Sequence, residues 1–216
     1  MTLVEGGRAE PHFLIVPGLN DSGPTHWQSR WLGLLRHSSK ADLGDWSNPD
    51  VVRWTSRLDD AISRIEAPVI LVAHSLGCHA VAHWASRAAL PENRRVSAAL
   101  LVAPPDCERR PAHCPVSRFA PRPDMPLPFP AIIAASRNDE YASIEYARDL
   151  ARRWRTDFVD TGELGHINAA SDLGIWPAGL ALLGRLIAVA GFGRRARLGF
   201  PAHETMSAQE PLRAAA

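Results

Sequence analysis

The chain is 216 residues long, 46% hydrophobic and 22% charged, with 24 Lys and Arg against 23 Asp and Glu for a net charge of +1. That length fits one domain, two at most, and the composition is that of a globular rather than a disordered chain. The near-neutral balance argues against nucleic acid or an anionic membrane surface as the main partner. No apolar run approaches the ~20 residues that span a bilayer. Met1 to Glu10 is small and mixed, without the apolar core of a signal peptide. Three cysteines are too few for a disulfide-built scaffold and favour a reducing, cytoplasmic setting.

In chain order, Phe13-Leu14-Ile15-Val16 reads as a buried strand closed by Pro17-Gly18. A helix is expected from about Thr25, where Thr25 and Gln28 have capping-box spacing and Trp27, Trp31, Leu34 and Leu35 share one face. Val51-Val52-Arg53-Trp54 suggests a weaker strand, and Leu58, Ala61, Ile62 and Ile65 a helix that Pro68 stops. Val69 to Ala73 is apolar throughout, as in a strand covered on both faces. It turns at His74-Ser75-Leu76-Gly77 into a helix carrying Ala80, Val81, Trp84 and Ala88.

Further strands are expected at 98–103 and 131–135, with a helix through Ile144, Ala147, Leu150 and Trp154 after the second. Thr156 to Val159 makes a final strand and Trp176 to Ala190 a final helix. This alternation predicts an α/β fold, a mostly parallel sheet with helices on both faces, filling residues 1–190. Residues 191–216, with Gly191, Gly193, Arg194 and Arg195, read as a loose C-terminal tail. Nine of the 18 prolines lie between Pro104 and Pro130, too many for a helix or a central strand. That segment is either a stiff surface connection or the rim of a pocket at the strand ends.

A serine hydroxyl hardly ionises at neutral pH, so a nucleophilic serine needs a base within reach and donors aimed at the developing oxyanion. One solution seats it on a sharp strand-to-helix turn, G-x-S-x-G, with small residues on either side. Here the turn is Ala73-His74-Ser75-Leu76-Gly77, with Ala in place of the first Gly, between the most apolar strand and a helix start. The remaining parts follow in the order nucleophile, acid, histidine. Asp139 comes just after strand 131–135, and His166 in the glycine-flanked loop Gly162 to Asn168. Both positions are at carboxyl ends of strands, where parallel sheets assemble their sites. His166 would take the Ser75 proton and Asp139 would orient the imidazole.

Asp139 is also placed to cap a helix starting near Tyr141. Glu140 and Asp160 are the rival carboxylates, ranked lower because Glu140 should lie inside that helix and Asp160 stands too near His166 along the chain. The oxyanion donors would be the amides of Leu76 and of Leu19, which Gly18 allows to turn inward, with Asn20 as the neighbouring alternative. Asn20, His26, Trp27 and Trp176 are pocket candidates, although tryptophans in a domain of this size are mainly core.

Three segments carry a resemblance: Val16-Pro17-Gly18-Leu19-Asn20-Asp21-Ser22-Gly23-Pro24-Thr25-His26-Trp27-Gln28, Ala73-His74-Ser75-Leu76-Gly77-Cys78 and Gly165-His166-Ile167-Asn168. Together they resemble the small serine hydrolases typified by YdeN, a group that includes the retinoblastoma-binding serine hydrolase. The resemblance runs from about His12 to Ile187. It implies a compact α/β-hydrolase fold without a large inserted cap, and Ser75, Asp139 and His166 as a catalytic triad.

Other signals carry less. His79 and His83 have the spacing of a helical metal pair, but Ala80 stands where H-E-x-x-H has Glu and no third ligand is evident. Cys107, His113 and Cys114 match no common zinc spacing, and Cys78 fits a packed core position. No metal or organic cofactor is required by the chemistry. Two functions are therefore expected from different classes: a serine hydrolase of a small carboxylic ester, thioester or amide acting through an acyl-enzyme, or a non-catalytic protein-binding module on the same scaffold.

Overall fold

The computed structural model describes residues 9–87, 95–109, 111 and 113–192. Six parallel strands form one sheet: β1 (His12–Val16), β2 (Ser38–Lys40), β3 (Val69–His74), β4 (Val96–Val102), β5 (Ala131–Ala135) and β6 (Asp157–Asp160), in the order β2-β1-β3-β4-β5-β6. Among the described residues the α-helices are α1 (Trp27–Leu34), α2 (Val51–Ser63), α3 (Leu76–Arg87), α4 (Ile144–Trp154) and α5 (Pro177–Val189). This is the parallel α/β sheet with helices on both faces that the alternation predicts, in the compact α/β-hydrolase form that the resemblance implies, and no cap domain stands over the sheet among the described residues.

Strand side chains alternate between two cores because successive Cβ atoms point to opposite faces. Along β3, Val69, Leu71 and Ala73 join one core with Trp54, Leu58 and Ile62 of α2 and Leu150 and Trp154 of α4. Ile70 and Val72 join the other with Trp27 and Trp31 of α1 and Leu183 and Leu186 of α5. Every residue of β3 is buried, so the elbow that follows it is anchored in the most desolvated strand of the fold.

Several local expectations change. Val51 to Trp54 is the first turn of α2, not a strand. The Asp50 carboxylate accepts from the Arg53 amide and starts the helix there, and Trp54, Thr55, Leu58 and Ile62 then form a single buried stripe. The second strand is instead Ser38–Lys40, which has no apolar residue and is placed at the sheet edge by pairing with β1 and by Ser38 Oγ donating to the Leu35 carbonyl. Helix α1 is capped by His26, whose Nδ1 accepts from the Gln28 amide, and not by Thr25. Ser143, whose hydroxyl accepts from the Tyr146 amide, caps α4, so Asp139 and Glu140 lie in the turn before the helix.

The proline-rich segment contains one short 3-10 turn, Pro115–Phe119, and is tied to α3 by side chains. His79 Nε2 donates to the Pro105 carbonyl at 2.7 Å and His83 Nε2 to the Phe119 carbonyl at 2.9 Å, so both histidines have structural partners. Cys78 is packed in the core. Residues 193–216, most of the segment read as a tail, lie outside the described residues, as does Ala88.

Candidate active site

The site forms at the carboxyl ends of β1, β3, β5 and β6, where each strand hands its next residue to a loop. Ser75 follows β3 at φ 52°, left-handed backbone that costs a non-glycine residue about 1–3 kcal/mol. The turn is held by the Ser75 amide donating to Val102 O on β4 and the Cys78 amide donating to Ser75 O. Two glycines let the neighbouring loop come close. A side chain at Gly77 would overlap the carbonyl oxygens of Val16 and Pro17, and a Cβ at Gly18 would stand 2.8 Å from the Ser75 Cβ.

The Ser75 hydroxyl lies 2.8 Å from His166 Nε2, and His166 Nδ1 lies 2.8 and 3.0 Å from the two oxygens of Asp139. The His166 and Asp139 side chains are only 8% and 3% exposed. The carboxylate accepts the Nδ1 proton, which leaves Nε2 with a free lone pair toward the serine. Asp139 Oδ1 also accepts from the Tyr141 amide at 2.8 Å, so the turn that follows β5 sets the carboxylate's orientation. The Tyr141 ring packs against the imidazole at 4.4 Å between centroids. The rival Asp160 is engaged elsewhere, by Arg137, Arg148 and the Gly162 amide.

Further positioning groups tie the histidine loop to the acid loop, to α1 and to β3. The Leu164 amide donates to Ser136 Oγ and the Gly165 amide to Asn138 Oδ1, at 2.8 and 2.7 Å. Trp27 Nε1 donates to the Ile167 carbonyl and His74 Nε2 to the His166 carbonyl, at 2.8 and 3.0 Å. Ser136 and Asn138 gave a signal only as polar residues in a loop at a strand end, a pattern shared with ordinary turns, and nothing in the local pattern of Trp27 or His74 marked them as donors to the histidine loop.

In the loop after β1, two amides are already engaged. The Asn20 amide donates to Trp46 O and the Asp21 amide to Gly18 O. The Asn20 alternative is thus engaged elsewhere, and the Leu76 amide opens α3, where the helix dipole favours negative charge.

A cleft of about 380 Å³ opens over Ser75 and His166, lined among others by Leu19, Asn20, His26, Tyr141 and Val116. Val116 comes from the proline-rich segment, which thus forms part of the rim. Of the pocket candidates, Asn20 and His26 line the cleft. Trp27 and Trp176 do not: they are 1% and 3% exposed and meet in a tilted contact, 5.1 Å between centroids, in the core behind it, because α1 and the start of α5 bury their indoles against the sheet.

Two further imidazoles lie next to the catalytic-type chain. His74 is fully buried 5.0 Å from the His166 ring and 4.7 Å from the His26 ring. Burial holds its pKa well below the ordinary histidine value, and neighbouring His166 and His26 lower it further. His26 is pushed down to about 4, chiefly by burial and then by His166, with Asp21 acting in the opposite direction.

The family model described as serine hydrolase matches residues 13–185. Among solved structures, a putative YdeN-like hydrolase from Pectobacterium atrosepticum SCRI1043 is 31% identical, with 84% of this chain and 92% of that chain covered and a TM-score of 0.74. The ydeN gene product of B. subtilis is 18% identical with a TM-score of 0.66, covering 83% of this chain and 99% of that one. Est1E from Butyrivibrio proteoclasticus shares the fold at 12% identity and a TM-score of 0.62, covering 82% and 88%. No curated protein matches the chain in sequence. With the family model spanning the sheet, the elbow and the histidine loop, and with a YdeN-like relative close in both sequence and structure, the chain belongs to the serine hydrolase family.

Proposed function

We propose that the protein hydrolyses a small carboxylic ester, thioester or amide through an acyl-enzyme on Ser75, with His166 as general base and acid and Asp139 as its orienting carboxylate. The observation that carries this reading is the continuous hydrogen-bonded chain Asp139–His166–Ser75, with 2.8 Å links on both sides of the imidazole. Ser75 Oγ attacks the carbonyl carbon as its proton passes to His166 Nε2, and the carbonyl π pair moves onto oxygen. The Leu76 and Leu19 amides stabilise that oxyanion. On collapse the bond to the leaving group breaks, and His166 returns the proton to it. Water then repeats the sequence on the acyl-Ser75 ester, releasing the acid and restoring the serine.

The absence of a cap among the described residues and the modest cleft support a small or accessible acyl substrate. BorB, a type II thioesterase that shares the fold at 17% identity, acts within this reaction class.

A fluorophosphonate probe tests the reading. The native protein is expected to become labelled on Ser75 and to hydrolyse p-nitrophenyl esters, with both lost in Ser75→Ala. A folded native protein that neither reacts with the probe nor turns over esters and thioesters would instead favour the non-catalytic binding module.

A further inference from the structure

His26 sits at the junction of the oxyanion loop and α1, 4% exposed, and lines the cleft over Ser75. Its Nδ1 accepts from the Gln28 amide at 3.1 Å, which places the ring proton on Nε2. That Nε2–H is buried and has no hydrogen-bond partner. Helix capping explains one edge of the ring and leaves the other edge unexplained, since a buried unpaired donor costs about 1–3 kcal/mol.

A second orphan belongs to the same cleft. Asp21 Oδ2 is paired with Lys40 Nζ at 2.7 Å, but Asp21 Oδ1 is buried and accepts nothing. Asp21 lines the cleft with His26, and its charge acts on that imidazole. The cleft lining thus includes one unmet donor and one unmet acceptor, on residues that interact electrostatically. A carbonyl would satisfy only the first and an ammonium only the second, whereas a hydroxyl both accepts and donates.

Building on the hydrolase reading, we propose that His26 and Asp21 form a polar subsite for a hydroxyl group on the ester substrate, accepting from His26 Nε2–H and donating to Asp21 Oδ1. The subsite stays in this form near neutrality because His26 remains uncharged until about pH 4. The hydroxyl belongs either to the acyl chain or to the alcohol that leaves.

Matched ester pairs test the proposal: methyl butyrate against methyl 3-hydroxybutyrate for the acyl side, and propyl butyrate against 2-hydroxypropyl butyrate for the leaving side. The expected result is a kcat/KM preference of about tenfold or more for the hydroxylated member of one pair, because a site built for a hydroxyl rejects the analogue that leaves its polar groups unpaired. The pair that discriminates identifies the side.

Two variants locate the effect. His26→Asn keeps an acceptor at the depth of Nδ1, and hence the helix cap, but does not reach the cleft, so the preference should fall to within about twofold of one. His26→Gln carries an amide N–H at the depth of Nε2 and should retain most of the preference even if the weaker cap lowers its Tm. Saturation-transfer NMR of the same pairs on Ser75→Ala reads the subsite without turnover and should show the same preference in binding. Equal binding within both pairs, or a preference that persists in His26→Asn, would overturn the subsite. Loss of turnover with the binding preference intact would instead sink the hydrolase reading alone.

Discussion

Trp27 Nε1 donates to the carbonyl oxygen of Ile167 at 2.8 Å, across 140 residues of chain, and so fixes the peptide that follows His166. Ile167 has φ 48°, an unfavourable conformation for a β-branched residue, and the surrounding core must impose it. Helix α1 therefore does more than cover the sheet: its first indole holds the histidine loop in place.

Trp27→Phe keeps much of the ring volume and removes the donor, leaving a buried carbonyl unmet at a cost of about 1–3 kcal/mol. The expected outcome is a lowered Tm together with a fall in kcat of about tenfold or more, since small misplacement of a catalytic group is costly. Thermal melts and ester kinetics on the same preparation check it. A lowered Tm with unchanged kcat would confine Trp27 to packing.

Asp139→Asn preserves the shape of the carboxyl group but no longer stabilises an imidazolium or enforces the tautomer. Ester turnover should fall by about 10³–10⁴, while Glu140→Gln should stay within about threefold of the native protein. Steady-state kinetics at pH 7.5 separate the two carboxylates directly.

Gly18→Ala introduces a Cβ that would stand 2.8 Å from the Ser75 Cβ and 3.0 Å from the Leu76 amide nitrogen. The loop must withdraw, taking the Leu19 amide with it. On the proposed role of that amide as an oxyanion donor, kcat is expected to fall by about 10²–10³. A smaller effect on KM than on kcat would distinguish this from lost substrate binding.

Stability should fall on acidification below about pH 6.5, the ordinary histidine range. His26 and His79 are each pushed down to about 4, mainly by burial, and His74 well below its ordinary value for the same reason. Between about pH 6.5 and 4 the unfolded chain binds protons that the folded chain refuses, so their stabilising contribution is full above this window and is lost on descending through it. Tm measured from pH 7.5 to 4.5 should drop steadily, and His26→Asn should flatten the slope.

Much of the fold was legible in local pattern. Val69 to Ala73 and Ala131 to Ala135 are short apolar runs bounded by turn residues, and such runs have few homes other than a sheet covered on both faces. Strand β2 was invisible because Ser38-Ser39-Lys40 is a strand only through its pairing with β1. Val51 to Trp54 misled because four residues rich in β-branched and aromatic side chains look like a strand, whereas the stripe from Trp54 to Ile62 becomes decisive only when α2 packs on α3.

The sequence by itself determined the order of Ser75, Asp139 and His166 and their placement at strand ends, because chain order and hydrophobic pattern are local properties. Only the tertiary structure decided that Asp139 rather than Asp160 faces the imidazole, that the Asn20 amide is engaged by the Trp46 carbonyl, and that Trp27 and Trp176 serve the core rather than the cleft. Those outcomes depend on which partner each donor and acceptor meets. The partners are brought together by burial of the two cores on either side of the sheet, across separations that no sequence window spans.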